Sequence, residues 1–346
     1  MPRDAGPRAS GLDLPALTRW IEQARPPGVR PTGPLHAELV AGGRSNLTYR
    51  ISDGTRTWVL RRPPLGHVLP TAHDMSREFR VTSALADTDV PVPTPLAMCP
   101  DAGVVGAPFY LMDLVDGAVL DDARLAGMDR ASAGRVGAQL LDTLVALHSV
   151  DPDAVGLGDF GRPDGFLQRQ VGRWHAQSLA SQQSPRALEE AVSGALAAAL
   201  PAAGRSSIVH GDYRLTNVMF DTAATLVAVV DWEMATLGDP LTDVGLLYVY
   251  HRLSEDGVAV MPATPADRGF VAPADLLDGY AARTGRVGAD LWWYVGFGYY
   301  KLAVICEGIA ARYAQGLTVG SGFEQFGAMV PMLLARAEQT VRTKEV

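Results

Sequence analysis

The chain has 346 residues, 47% hydrophobic and 20% charged, which is enough apolar material for one large or two modest domains and too much for a disordered chain. Its net charge of −8 argues against broad nucleic-acid binding, which depends on neutralising phosphates with basic side chains. Two cysteines, Cys99 and Cys306, exclude a disulfide framework or a four-thiolate metal site and suit a reducing cytoplasm. The polar N-terminus has no apolar signal core, and the longest apolar run, Leu291 to Tyr300, is too short to cross a bilayer, so no membrane partner is expected.

In chain order, residues 1–34 are proline-rich around one amphipathic stretch, Leu14 to Ala24, and read as a mobile arm with one helix. Three strands follow: His36 to Val40, Leu47 to Ser52 and Thr57 to Arg61, the last two joined by the turn Asp53-Gly54. Asp74 to Asp87 has helical spacing, Pro91, Pro93 and Pro95 end it, and Phe109 to Val115 is a further strand. Beyond Gly117 the pattern turns helical, with Ala131 to His148, Arg186 to Leu200, Leu291 to Gln315 and Phe323 to Val341 as helices. A short β island, Ile208-Val209 and Leu226 to Val230, brackets the densest polar cluster. A small β-rich half of residues 35–115 followed by a mainly helical half of 116–346 is the layout of a two-lobed α+β protein.

Lysine occurs only at Lys301 and Lys344, and asparagine only at Asn46 and Asn217. This scarcity excludes a Walker A loop and gives each surviving asparagine a claim to a chemical role. One of them falls in the polar cluster, where His210-Gly211-Asp212-Tyr213-Arg214-Leu215-Thr216-Asn217 precedes an apolar strand ending in Asp231-Trp232-Glu233.

H-x-D-x-x-x-x-N followed by a strand and a second Asp resembles the phosphotransfer loop of the protein-kinase-like superfamily. With D-W-E and G-D-P-L-T-D (Gly238 to Asp243) it is similar to the aminoglycoside-phosphotransferase-like branch, and most like the group linked with acyl-CoA dehydrogenases. The resemblance spans Leu35 to Arg312 and implies a two-lobed kinase-like fold. It also implies an ATP- and Mg²⁺-dependent phosphotransferase acting on the hydroxyl of a small molecule. Asp212 would orient that hydroxyl and take its proton, Arg214 would contact the transferred phosphoryl group, and His210 would organise the loop. Asn217 and Asp231 would supply oxygen ligands to Mg²⁺. Asp243 would cap loop amides from the next helix, and Asp239 either does the same or touches substrate.

In the N-terminal half, the segment of Gly42, Gly43, Arg44, Ser45 and Asn46 is either an ordinary glycine hairpin or a phosphate cradle, with Gly43, Ser45 and Asn46 as contacts. Trp58-Val59-Leu60-Arg61 aligns with the strand on which this superfamily places a phosphate-binding lysine. Here the chain departs from the common pattern: it offers Arg61, or else Arg62, which alternation puts on the opposite face. Glu78 would be the paired carboxylate, and the backbone of Asp113 to Val115 would meet adenine. The aromatics around Trp293 are either core or the wall of an acceptor pocket, with Lys301, Glu307 and Arg312 on the same segment. The acceptor expected from these residues is partly apolar and anionic, such as a hydroxyacyl thioester. An antibiotic kinase and a nucleotide-binding module without turnover are the alternatives.

Overall fold

The computed structural model of the protein describes residues 12–40, 46–64, 74–181, 186–202, 204–258, 262, 264–286, 289–316 and 323–346. The chain divides into two compact units, the first ending at Gly117 and including Val227–Ala235, the second spanning Ala118–Leu226 and Thr236–Val346. The sequence reading assigns Val227–Ala235 to the helical half. Tertiary contacts place it otherwise: Val229 N–H donates to the Pro91 carbonyl at 2.7 Å, within the first unit.

The first unit holds α1 (Leu14–Ala24), β1 (His36–Leu39), β2 (Leu47–Ser52), β3 (Thr57–Arg62), α2 (Met75–Leu85), β4 (Pro95–Cys99), α3 (Ala102–Val105) and β5 (Phe109–Asp113). Its strands form one antiparallel sheet in the order β1-β2-β3-β5-β4. β4 was not expected in a run with three prolines. As the edge strand it tolerates Pro95, which lacks an N–H, and its pairing with β5 shifts register between Pro95 and Ala97.

Helix α1 starts where the Asp13 side chain accepts the Ala16 N–H at 2.9 Å, with Pro15 in the first turn. It does not extend away as an arm. Leu17 and Ile21 share a core with Val29, Tyr49, Ile51, Trp58, Leu60, Phe109 and Leu111, and Trp20 meets Phe109 edge-on at 5.0 Å. An amphipathic stripe of this kind is stable only against another apolar face, and the sheet supplies it.

The register of β3 prepares the other side of the sheet. Arg61 lies opposite Thr48 on β2 and Tyr110 on β5, so these three side chains share one face. Arg62 emerges on the reverse face, where its Nη1 donates to the Val105 carbonyl at 2.6 Å. α2 buries Met75, Glu78, Val81, Thr82 and Leu85, a single helical stripe with one carboxylate in it, and is capped by Asp74.

The second unit contains α4 (Asp122–Gly127), α5 (Arg130–Ser149), α6 (Phe166–Ser181), α7 (Arg186–Ala198), β6 (Ser207–Val209), β7 (Val218–Phe220) and the start of β8 (Leu226–Val229). β9 (Thr236–Gly238), α8 (Leu241–Glu255), α9 (Pro273–Thr284), α10 (Leu291–Ala314) and α11 (Glu324–Thr343) complete it. β6 pairs antiparallel with β9. α6 escapes the sequence reading because its apolar stripe of Phe166, Leu167, Val171 and Trp174 is thin. α10 is the central element, buried on nearly every side and packed against α6, α7, α8 and α11. Among the described residues no helix is long and apolar enough to cross a membrane.

The α8–α10 crossing depends on glycine. A Cβ at Gly245 would stand 2.5 Å from the backbone carbonyl of Tyr294, and one at Gly298 would stand 3.2 Å from the Gly245 carbonyl oxygen. Gly245→Ala is therefore expected to lower stability by about 1–3 kcal/mol through overpacking. Gly172→Ala on α6, where the added carbon meets nothing within 4 Å, should be neutral or slightly stabilising. Thermal unfolding of the two variants checks this.

Candidate active site

In the second unit, β6 delivers the chain to the loop His210–Asn217, and one buried carboxylate holds the start of that loop. Asp243, in the first turn of α8, accepts the backbone N–H of His210 at 2.7 Å and of Gly211 at 2.8 Å. His148 Nε2 lies 3.4 Å from the same carboxylate, and its Nδ1 lies 2.9 Å from the Tyr280 hydroxyl. Burial opposes ionisation of Asp243, but its hydrogen bonds with the His148 ring and the His210 N–H outweigh it and hold the carboxyl below its ordinary pKa. Gly211 has φ 84°, the left-handed conformation that lets the loop reverse here. Lys301 of α10 closes the arrangement, donating from Nζ to the Gly211 carbonyl while its ammonium sits 5.3 Å over the Trp174 ring. His210 Nδ1 accepts the Asp212 N–H at 3.2 Å.

Asp212 is oriented by three side chains. The Tyr250 hydroxyl donates to Oδ1 at 2.7 Å, Asn217 Nδ2 donates to Oδ2 at 3.0 Å, and Arg214 Nε lies 3.2 Å from Oδ2. Asn217 Nδ2 also reaches the Asp212 carbonyl at 2.9 Å, so its amide is turned with the nitrogen toward the acid. Burial and the neighbouring Asp212 charge push the Tyr250 phenol well above its ordinary pKa, which keeps it a proton donor. Arg214 stacks over the Tyr250 ring at 5.1 Å. Beside them a shallow cleft is lined by Arg214, Leu215, Thr216, Tyr250, Ser254 and Thr264, among others. Asp239 caps α8, accepting the Leu241 N–H at 3.0 Å, and receives the Tyr294 hydroxyl at 2.8 Å.

The first unit carries a second polar cluster. Glu78, only 1% exposed, accepts Arg61 Nε at 2.7 Å and the Tyr110 hydroxyl at 3.0 Å on Oε2. Its Oε1 accepts Arg61 Nη2 and Asn46 Nδ2, each at 3.1 Å. Arg61 Nη2 also contacts Asp231 Oδ1 at 2.5 Å. Burial disfavours the guanidinium charge, but Glu78, Tyr110 and Asp231 overcome it and raise the Arg61 pKa. Glu78, Asp231 and Glu233 each bring a carboxylate oxygen within 4.8 Å of the others, a set of hard donors that suits Mg²⁺. Arg61, and not Arg62, is thus the arginine that meets Glu78.

Several expected positions fall elsewhere. Gly43 and Ser45, with Gly42 and Arg44, lie outside the described residues. Asp113 N–H is committed to the Thr94 carbonyl at 2.9 Å and the Val115 carbonyl accepts Gly117 N–H at 3.1 Å, so two backbone groups of the expected adenine edge are already paired. Trp293 is not a pocket wall: it is fully buried, stacks on Phe297 at 5.3 Å and donates its indole N–H to the Leu196 carbonyl at 2.9 Å. Lys301 supports the loop from beneath, and burial lowers its pKa. Glu307 is buried against the Ser178 hydroxyl at 3.3 Å, whereas Arg312 is exposed near the end of α10. None of these last four lines the cleft. Tyr250 is the principal residue the sequence reading misses. Its signal was its place seven residues after Asp243, two turns along the same helical face.

The model of the phosphotransferase enzyme family matches residues 36–300. Mouse acyl-CoA dehydrogenase family member 10 is 34% identical over 307 residues, covering 87% of this chain but 29% of that protein. Rat acyl-CoA dehydrogenase family member 11 is 32% identical over 317 residues, covering 88% of this chain and 40% of that protein. The chain therefore spans well under half the length of these relatives. A crystal structure from Ralstonia eutropha, of a protein assigned as an aminoglycoside phosphotransferase, superposes with a TM-score of 0.81 at 33% identity, covering 96% of this chain and 99% of the other. Aminoglycoside phosphotransferase APH(4)-Ia, solved with AMP-PNP and hygromycin B, shares the fold with a TM-score of 0.60 at 14% identity, covering 94% and 97% of the two chains. The fold is kinase-like.

The Asp243 geometry has a pH consequence. A carboxyl held below its ordinary value stabilises the fold above the unfolded-state pKa of about 3.9, and that contribution disappears as pH falls through the lower, folded value. Asp243→Asn should cost about 3 kcal/mol or more at pH 7 by disrupting a buried ionic network. The gap to wild type should narrow below pH of about 4, as followed by urea midpoints across pH.

Proposed function

We propose, from the premise that this chain belongs to the phosphotransferase enzyme family, that it moves the γ-phosphoryl group of ATP to a hydroxyl of a small molecule. The observation that carries this reading is Asp212, a carboxylate oriented by Tyr250, Asn217 and Arg214, of which Tyr250 and Arg214 line the shallow cleft. A module that only bound nucleotide would have no use for such an acid.

In this reading the acceptor hydroxyl donates to the Asp212 carboxylate. Its oxygen forms the new bond to the γ-phosphorus, the bond from that phosphorus to the bridging oxygen of ADP breaks, and Asp212 takes the proton. Tyr250 and Asn217 keep the acid from rotating, so its lone pairs are aimed before the acceptor arrives. Arg214 stays near the reacting oxygens and offsets their negative charge. Asp231, with Glu233 beside it, would hold Mg²⁺, and the bound ion would neutralise charge on the phosphates. Arg61, braced by Glu78, serves the nucleotide phosphates in place of lysine.

The cleft informs the acceptor. Among the described residues its lining offers one guanidinium, Arg214, with His251, hydroxyls and the apolar Leu215 and Pro262, and no carboxylate. A polycationic aminoglycoside would call for several acidic partners. A neutral or anionic, partly apolar hydroxylated acceptor fits better, and a hydroxyacyl thioester belongs to that class. The antibiotic-kinase reading is favoured by the Ralstonia eutropha protein's assignment alone.

Hydroxyacyl thioesters, other hydroxylated metabolites and aminoglycosides, each incubated with ATP and the protein, should separate the readings by mass gain of one phosphate. With the true acceptor, Asp212→Asn should lower turnover by about 10²-fold or more while ATP affinity stays within a few-fold of wild type. Unchanged turnover in that variant would sink the assignment of Asp212 as the base.

A further inference from the structure

The first unit holds its carboxylates in an arrangement that ordinary packing does not require. Asp231 has φ 68° and ψ 58°, a left-handed backbone that a non-glycine residue adopts at a cost. That backbone presents Oδ1 to Arg61 Nη2 at 2.5 Å. The rest of the guanidinium is largely committed, with Nε and Nη2 on Glu78 at 2.7 and 3.1 Å and Nη1 at 3.4 Å from the Thr48 hydroxyl. Around Asp231, the carboxylates of Glu78 and Glu233 lie within the 4.8 Å that one ion could bridge. Asn46 is 1% exposed and its Nδ2 joins Glu78 at 3.1 Å to Glu233 at 3.3 Å, yet among the described residues the oxygen of that same amide has no partner. A buried acceptor without a donor is costly to maintain and marks a group with a ligand still to receive.

We infer that Arg61 and a divalent cation are alternative occupants of this carboxylate cluster, the cation taking Asp231, Glu233 and the Asn46 amide oxygen as Arg61 Nη2 leaves Asp231 for a nucleotide phosphate. The inference rests on the ATP reading above and extends it to how metal and nucleotide enter. Mg²⁺ or Mn²⁺ draws its oxygen ligands to within about 2.0–2.2 Å, and a guanidinium N–H cannot share the same carboxylate oxygen with an ion of like charge that close. Arg61 does not need to leave the site to make way. Nε and one N–H of Nη2 stay on Glu78 while the other N–H of Nη2 passes from Asp231 to the phosphate, a division of labour that the single nitrogen of a lysine cannot provide. Metal and nucleotide therefore strengthen each other, each by the same factor.

The test uses the full chain and reads binding, not turnover. Mn²⁺ is titrated without nucleotide, following the free-ion paramagnetic resonance signal, into wild type, Arg61→Met and Glu233→Gln. AMP-PNP binding is measured separately by calorimetry, in EDTA and with Mn²⁺. Arg61→Met should bind Mn²⁺ about tenfold or more tightly than wild type, having lost the competing cation. Glu233→Gln should bind it about tenfold more weakly while keeping wild-type AMP-PNP affinity in EDTA. A folded Arg61→Met variant with wild-type Mn²⁺ affinity would overturn the exchange, and an unchanged Glu233→Gln would overturn the ligand set. If Arg61→Met does not fold, Glu233→Gln and the wild-type dependence of AMP-PNP affinity on Mn²⁺ still decide it. Wild type that binds Mn²⁺ but never AMP-PNP would defeat the ATP reading and the coupling together, an outcome distinct from failure of the exchange alone.

Discussion

A fully buried carboxylate, Asp243, is the interaction on which the His210–Asn217 loop depends. Two consecutive backbone N–H groups, of His210 and Gly211, converge on it, and His148 and Tyr280 support it from behind. An anion with this many donors keeps its charge in a place that would otherwise neutralise it. The loop amides have no sheet partner at this point, so without Asp243 they would be buried and unsatisfied. Because the carboxylate comes from the first turn of α8, the loop and that helix move as one body. Two turns further along α8, Tyr250 reaches Asp212. The acid is thus fixed by its own loop and, through a second residue, by the helix that anchors the loop.

The first unit solves a different problem with the same economy. The pleat of β3 sends Arg61 to one face and Arg62 to the other, and the partners of each follow from register. On one side Arg61, Thr48 and Tyr110 face the stripe of α2 that carries Glu78; on the other an apolar face receives α1. Glu78 can be buried because it accepts four hydrogen bonds from Arg61, Tyr110 and Asn46. A lysine at position 61 would leave part of that carboxylate unanswered, whereas the guanidinium fork meets both of its oxygens.

The two polar clusters also differ in character. Around Asp212 the partners are a phenol, an amide and one guanidinium, which orient the acid without neutralising it by direct multiple pairing. Around Asp231 a guanidinium sits in direct contact with the carboxylate. The first arrangement leaves the carboxylate oxygens only partly paired; in the second the charge is balanced by direct contact.

By itself the sequence singled out the loop and its polar residues. The spacing of His210, Asp212 and Asn217, the second Asp after an apolar strand, and the retention of asparagine at only two positions are all local features, readable without coordinates. It also placed α1 and most strands of the first unit to within a residue or two, since period and turn residues are local signals. Tertiary structure alone decided where side chains far apart in the chain would meet. Trp293, Lys301 and Glu307 share one helix and looked alike as candidates, but α10 is buried on almost all sides, so one fills core, one props the loop and one is sealed against Ser178. Tyr250 and Asn46 acquired their partners the same way, across 38 residues to Asp212 in one case and 32 residues to Glu78 in the other. Pairings of that range depend on how helices cross and which way a strand faces, and neither is encoded in the residues that eventually touch.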